Sequence, residues 1–257
     1  MDSDMTTLPS IDDVPVEYWA KLAGKKIYFG HQSVGYNIVE GMEEIVKANP
    51  RINLNIVKTS EPAAFEKPVF AHSGVGRNGN VDSKIESFEN IMDSGVGDKV
   101  DIAFFKFCYV DVTRDSDPKK VFDSYKSAIE DLKSRYPRTK FLNVTVPICS
   151  VPKDIKRNLK QTVKTILGRP GVVEDNMKRQ RYNLLLRDAC FQKEPFFDLA
   201  LTESVGPGSK RCYTSKGTEK VFMMASEYTD DGGHLNSLGR KKAAEQLLII
   251  LAELAKN

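Results

Sequence analysis

The feature that most constrains this chain is an alternation sustained over most of its length. Short apolar, β-branched or aromatic runs trade places with longer segments of helical period. Such a pattern builds a largely parallel sheet, because parallel neighbours need a long crossover, usually a helix, to return the chain. The predicted strands are Lys26–Gly30, Ile52–Lys58, Asp101–Cys108, Lys140–Val146 and Pro195–Leu201. The predicted helices are Val34–Ala48, Val81–Met92, Pro118–Tyr136, Glu174–Phe191 and Ser237–Lys256, the last with Leu238, Ala243, Leu247, Leu248, Leu251 and Leu254 on one face. Asp154–Gly168 reads as a further amphipathic helix, basic on its solvated side. The expectation is a three-layer α/β/α sandwich around a five-stranded, mainly parallel sheet.

No linker or repeat divides the 257 residues, so 1–257 reads as a single domain with residues 1–24 as an N-terminal extension. A chain of this size buries roughly 70–75% of its unfolded surface. With 17 Gly and 12 Pro it is neither fibrous nor low in complexity. Its 38 basic and 35 acidic residues leave a net charge of +3, which marks no nucleic-acid partner. The longest apolar stretch, Leu247–Ala255, is interrupted by Glu253 and falls short of the about 20 residues a membrane span needs, so a soluble protein is expected. The first residues carry Asp2, Asp4, Asp12 and Asp13 in place of a basic-then-apolar leader; the compartment stays open, export through a removed leader included. Cys108, Cys149, Cys190 and Cys212 form no CxxC pair, which argues against a zinc ribbon. Free thiols are expected, with a Cys190–Cys212 disulfide as the alternative in an oxidising compartment.

Open parallel sheets place their ligand sites at the carboxyl ends of the strands. Ser33, in Gly30-His31-Gln32-Ser33-Val34-Gly35, stands where the first strand ends and a helix starts. There its own amide has no intrahelical partner, and the helix dipole favours negative charge. Ser33 is either a nucleophile or an ordinary helix cap. A nucleophilic serine needs a base, and the base needs a carboxylate to orient it. Asp231 and His234, in Thr229-Asp-Asp-Gly-Gly-His-Leu-Asn236, have those types at a spacing that lets both side chains face one loop edge. The alternative is that Asp230 or Asp231 caps the last helix. All three histidines, His31, His72 and His234, lie in Gly-rich loop candidates. A metal site from His31, His72, His234 and Asp231 fits by residue type but lacks ligand-like spacing, so no metal is expected.

At this point the sequence resembles the SGNH (GDSL-type) esterase and lipase superfamily. Ser33 follows the first strand, Asp231-Gly-Gly-His234 precedes the last helix, and the order of elements agrees from about Lys25 to Ala255. The resemblance implies a flavodoxin-like SGNH hydrolase fold, catalytic Ser33, Asp231 and His234, and no cofactor. It also implies an oxyanion hole from the Ser33 amide with Gly79 as first choice and Gly76 as second. The chain departs from the family pattern after the third strand, where Phe107-Cys108-Tyr109-Val110-Asp111 puts Val110 in place of an Asn donor. Tyr109 or Lys106 are the candidate replacements, and Asp111 matches the family's closing Asp. No Asp precedes the serine either. His31, Tyr109 and Asp111 are candidate substrate-binding residues, with His31 as a packed strand-end residue the alternative.

The expected activity is hydrolysis of short acyl esters through an acyl-enzyme on Ser33, with a small-molecule or glycan ester such as an acetylated carbohydrate as substrate. Two readings compete with it. One is a catalytically silent SGNH-fold module that binds a glycan or other ligand, and the other is an acyltransferase using the same triad. The loops Pro152–Gly171 and Gly206–Thr218 are expected to shape the leaving-group side, their basic residues tolerating an anionic substrate.

Overall fold

The computed structural model describes residues 5–151 and 171–256; the helix expected at Asp154–Gly168 and most of the Pro152–Gly171 loop lie outside them. After helix α1 (Val16–Ala23) come strand β1 (Lys26–His31), helix α2 (Val34–Ala48), the short β2 (Ile56–Lys58), β3 (Val69–Gly74) and α3 (Val81–Ile91). The chain continues through β4 (Ile102–Phe105), α4 (Pro118–Arg135), β5 (Lys140–Phe141) and β6 (Asn143–Val144). It ends with α5 (Val172–Cys190), β7 (Phe196–Phe197), α6 (Leu199–Ser204), the strands β8 (Tyr213–Lys216) and β9 (Glu219–Phe222), and α7 (Ser237–Ala255).

The main sheet has five strands in the order β2-β3-β1-β4-β5, and every pairing in it is parallel. Beyond Leu142, β6 pairs in parallel with β7. β1 is the switch point: the chain leaves it toward β2 and β3 on one side and returns to β4 on the other, which opens a crevice at its carboxyl end.

Alternation along the strands fills two cores. Ile27 and Phe29 of β1, Phe70 of β3, and Ile102 and Phe104 of β4 pack under α1, α2 and α7. Tyr28, Val69, Ala71, Ala103 and Phe105 pack under α3, α4 and α5. Rings tie neighbouring strands, as where Phe29 stacks on Phe104 with centroids 4.5 Å apart.

Two of the expected strands differ in the structure. β3, central and directly paired to β1, replaces the long strand expected at Ile52–Lys58, of which only Ile56–Lys58 is extended. Its His-Ser-Gly end reads as a loop by composition. The apolar run at Pro195–Leu201 turns helical after two strand residues because Asp198 caps α6, accepting from the Leu201 amide at 2.9 Å. Within residues 1–24, α1 buries Trp19 and Leu22 in the core.

Candidate active site

Helices α2 and α7 pack side by side with their N-termini at the same end of the sheet, and this contact sets the site. At Gly41 a side chain would run into the Arg240 carbonyl, so the absence of one lets α2 close on α7. Arg240 clasps Glu40 and Glu44 of α2. The residues just before the two helices, Ser33 and His234, are thereby brought together from positions 201 apart in sequence, Ser33 Oγ to His234 Nε2 being 2.8 Å.

Both capping alternatives resolve toward this contact. Ser33 stands at the N-cap of α2 yet makes no side-chain cap hydrogen bond. At the start of α7, Asn236 does the capping, accepting from the amides of Leu238 and Gly239 at 3.1 Å each. Asp231 is therefore left to His234: its Oδ2 lies 2.7 Å from Nδ1, while Oδ1 accepts from the amides of Gly233 and His234 at 2.8 Å each. With Nδ1–H donating to Asp231, Nε2 presents its lone pair to the serine hydroxyl. Burial pushes the Asp231 carboxyl up, but hydrogen bonds from the His234 ring and from the His234 and Gly233 amides outweigh it and hold it at about 2. The loop is tied back through Ser150, whose amide donates to the Gly232 carbonyl at 3.0 Å.

Ser33 has φ 51° and ψ −113°, a conformation L residues rarely adopt and one that costs about 1–3 kcal/mol unless the surroundings over-determine it. The surroundings here converge on Gln32. Its carbonyl accepts from the Gly35 amide (3.0 Å), Lys106 Nζ (3.3 Å) and the Cys108 thiol (3.4 Å), and its side-chain amide donates to the Gly76 carbonyl at 3.2 Å.

The remaining candidates separate. Tyr109 stays at the site, its ring edge-on to His234 at 5.8 Å and its carbonyl held by Arg179 Nε at 2.9 Å. Asp111 is withdrawn from any substrate. It is buried, 2.6 Å from Lys84 Nζ, and also accepts from the amides of Cys108 (2.5 Å) and Gly79 (2.7 Å). The Gly79 amide, expected as an oxyanion donor, is thus already engaged by a carboxylate. Gly76, with φ 54°, is the glycine whose loop is tied to the residue before Ser33.

His31 is wholly buried and faces no substrate; its Nε2 lies 2.9 Å from His72 Nδ1, with the two rings stacked. Burial, then the charge of Lys106 and the neighbours His72 and Lys58, push its pKa down to about 2, so it is neutral. Among the described residues no group of three or more His, Cys, Asp or Glu is placed to hold a metal ion. Val110, at the position of the family's Asn, is partly exposed and has no side-chain donor. The four cysteines remain thiols, Cys190 and Cys212 included.

Gln32, Lys84, Cys108 and Arg179, which support the site, are not among the sequence candidates. The readable signals were a lysine on the apolar face of α3, beside Ile85 and Phe88, and the lone Lys106 inside the run Phe104-Phe105-Lys106-Phe107. Part of the loop expected on the leaving-group side, Gly206, Pro207 and Ser209, instead lines a cavity of about 570 Å³ with Leu8, Ile45 and Tyr228, and none of Ser33, Asp231 or His234 borders it.

No protein-family model matches the sequence, and no curated protein matches it. Among solved structures, the chain is similar to a "putative platelet activating factor from Streptococcus pneumonia", with TM-score 0.53 and 15% identity over 91% of this chain and 89% of that one. It is also similar to a member of the lipolytic protein G-D-S-L family from Veillonella parvula, with TM-score 0.48 and 16% identity over 86% of this chain and 94% of that one. No helix among the described residues is long and apolar enough to cross a membrane. What the chain shares with the Streptococcus protein is its fold; in this chain that fold is an α/β architecture with a five-stranded parallel sheet, as the SGNH resemblance implies.

Proposed function

We propose that the protein is a serine-dependent ester hydrolase acting on short acyl esters, with an acetylated carbohydrate as the class of substrate. The observation that carries this reading is the continuous hydrogen-bonded chain from Ser33 through His234 to Asp231, formed by a serine and an aspartate that both forgo helix capping. Ser33 Oγ attacks the ester carbonyl as its proton passes to His234 Nε2. Asp231 holds the ring in the required tautomer and offsets the imidazolium charge. The Ser33 amide is the oxyanion donor in this reading. His234 then protonates the leaving alcohol, and water activated by the same histidine releases the acid. Tyr109 forms one wall beside the imidazole.

Nucleophile and base are partly exposed, so water reaches an acyl-enzyme directly, which supports hydrolysis over transfer. Val110 in place of an Asn donor supports the silent binding module as the second reading. Turnover of p-nitrophenyl acetate decides between them: the hydrolase reading expects activity that falls to background in Ser33→Ala and in His234→Ala, whereas a module gives no serine-dependent turnover from the wild type.

A further inference from the structure

We propose that Lys106 is a positioning residue for the nucleophile: together with Cys108 it grips the Gln32 carbonyl, which aims the Ser33 amide at the ester and holds Ser33 in its strained conformation. This inference rests on the reading of Ser33 as the nucleophile.

Phe105 of β4 pairs with Gly30 of β1, so Lys106 follows at the level of His31, its amide donating to the Gly30 carbonyl at 3.2 Å. The Lys106 side chain is buried at the end of a strand whose other residues are all apolar. A lysine is an expensive filler for such a place unless its nitrogen has work to do. Its Nζ reaches the Gln32 carbonyl at 3.3 Å, the Phe107 carbonyl at 3.3 Å and the Cys108 sulfur at 3.8 Å. The Cys108 thiol donates to the same Gln32 carbonyl at 3.4 Å, and the Gly35 amide does so at 3.0 Å.

Three donors thus meet on one carbonyl, and the peptide they hold is the one that carries the Ser33 N–H. In a trans peptide the C=O and N–H point in opposite directions. Drawing the Gln32 oxygen inward toward Lys106 and Cys108 therefore turns the Ser33 N–H outward, where an oxyanion donor is needed. The same grip resists relaxation of Ser33 from φ 51°, since its side chain makes no cap bond and is engaged with His234 instead. Burial draws Lys106 toward its neutral form, while Cys108, Asp111 and Glu203 act against that and Lys84 with it. A neutral amine still has N–H donors for the Gln32 carbonyl, so the grip survives in either state. In a site whose Asn position is Val110, a firmly aimed backbone amide is the compensation the sequence offers.

The test measures p-nitrophenyl acetate kinetics and the rate of Ser33 phosphonylation by a fluorophosphonate in the full chain and in Lys106→Met, Cys108→Ala and Cys108→Ser. Losing an oxyanion donor outright costs about 100- to 1000-fold, so mis-aiming one is expected to lower kcat and the phosphonylation rate in Lys106→Met by about 10- to 100-fold. KM should move by less than about threefold, because the loss falls on the transition state. Cys108→Ala should lose less, and Cys108→Ser, which keeps a donor, should recover most of that loss. Unchanged kcat and phosphonylation in Lys106→Met, with a reactive wild type, overturn the role of Lys106 and leave the hydrolase reading standing. Should Lys106→Met fail to fold, the Cys108 pair decides: serine outperforming alanine supports the grip, and equal loss in both overturns it. A wild type whose Ser33 does not react overturns the hydrolase reading and this inference together.

Discussion

Asp231 and Asp111 stand in loops at the same end of the sheet, and both have a place in the pattern of the SGNH superfamily. Their surroundings send them in opposite directions. The Asp231 side chain is 47% exposed, accepts from the Gly233 and His234 amides and the Thr229 hydroxyl of its own turn, and orients a histidine that faces solvent. The Asp111 side chain is 0% exposed, as is its partner Lys84 on α3, and the amides of Gly79 and Cys108 that donate to it draw two loops inward. In the proposed reading, one carboxylate orients a base that exchanges a proton with a bound molecule. The other clamps the loop at 76–80 to the loop after β4. Position in a motif names a residue type; burial and partners decide whether that type does chemistry or holds the frame.

Removing each carboxylate in turn should separate the two roles. Asp231→Asn leaves the loop's amides an acceptor but offers His234 the wrong tautomer, and is expected to lower kcat about 10⁴-fold with little change in the denaturant midpoint. Its stability contribution is small because the pair is half exposed. The sign is clear: a carboxyl lowered to about 2 supports the folded state above its ordinary unfolded pKa, and that support is lost as the pH falls through about 2. Asp111→Ala should do the reverse, destabilising by about 3–5 kcal/mol in urea unfolding because it strands a buried ammonium. Replacing both partners, Lys84→Met with Asp111→Leu, should return most of that loss.

Two smaller effects sharpen the same division between chemistry and frame. Gly41→Ala pushes a methyl into the Arg240 backbone, with an expected cost of about 1–3 kcal/mol. Because α2 and α7 carry Ser33 and His234, kcat should fall with it, read together by thermal unfolding and turnover. Glu203 is buried, accepts from the Ile148 amide at 2.7 Å, and has its pKa raised by burial to about 8. The folded state therefore holds a proton that the unfolded state has released, and the wild type loses stability as the pH rises from about 4.5 to 8. The slope is at most about 1.4 kcal/mol per pH unit. Glu203→Gln should flatten that slope in urea titrations across the window, with no loss at its upper end.

What the sequence discloses follows the range of the interactions. Asp231 and His234 are three residues apart in a Gly-Gly turn, so their pairing is legible locally, and Ser33 is legible because a strand ends and a helix begins beside it. Five helices, α2, α3, α4, α5 and α7, lie within one or two residues of their predicted bounds, α2 at both ends as the pattern predicts, whereas α1 has no counterpart in the prediction and α6 occupies a run read as a strand. β3 was missed because its end, His72-Ser73-Gly74, carries no strand signal and is extended only through its partners β1 and β2. The buried pair of Lys84 and Asp111 was missed because it joins residues 27 positions apart, and neither sequence neighbourhood shows what the other brings. Gly79 fits the family's oxyanion position in sequence; only the folded loop shows Asp111 already holding its amide.

The central claim is that Ser33 is an activated nucleophile with His234 as its base. Mass mapping after fluorophosphonate treatment of the wild type and His234→Ala tests it most directly. The account predicts a single adduct on Ser33 in the wild type and none, or one formed orders of magnitude more slowly, in the variant. A folded wild type that takes no adduct at Ser33, or a variant labelled as fast as the wild type, would contradict it.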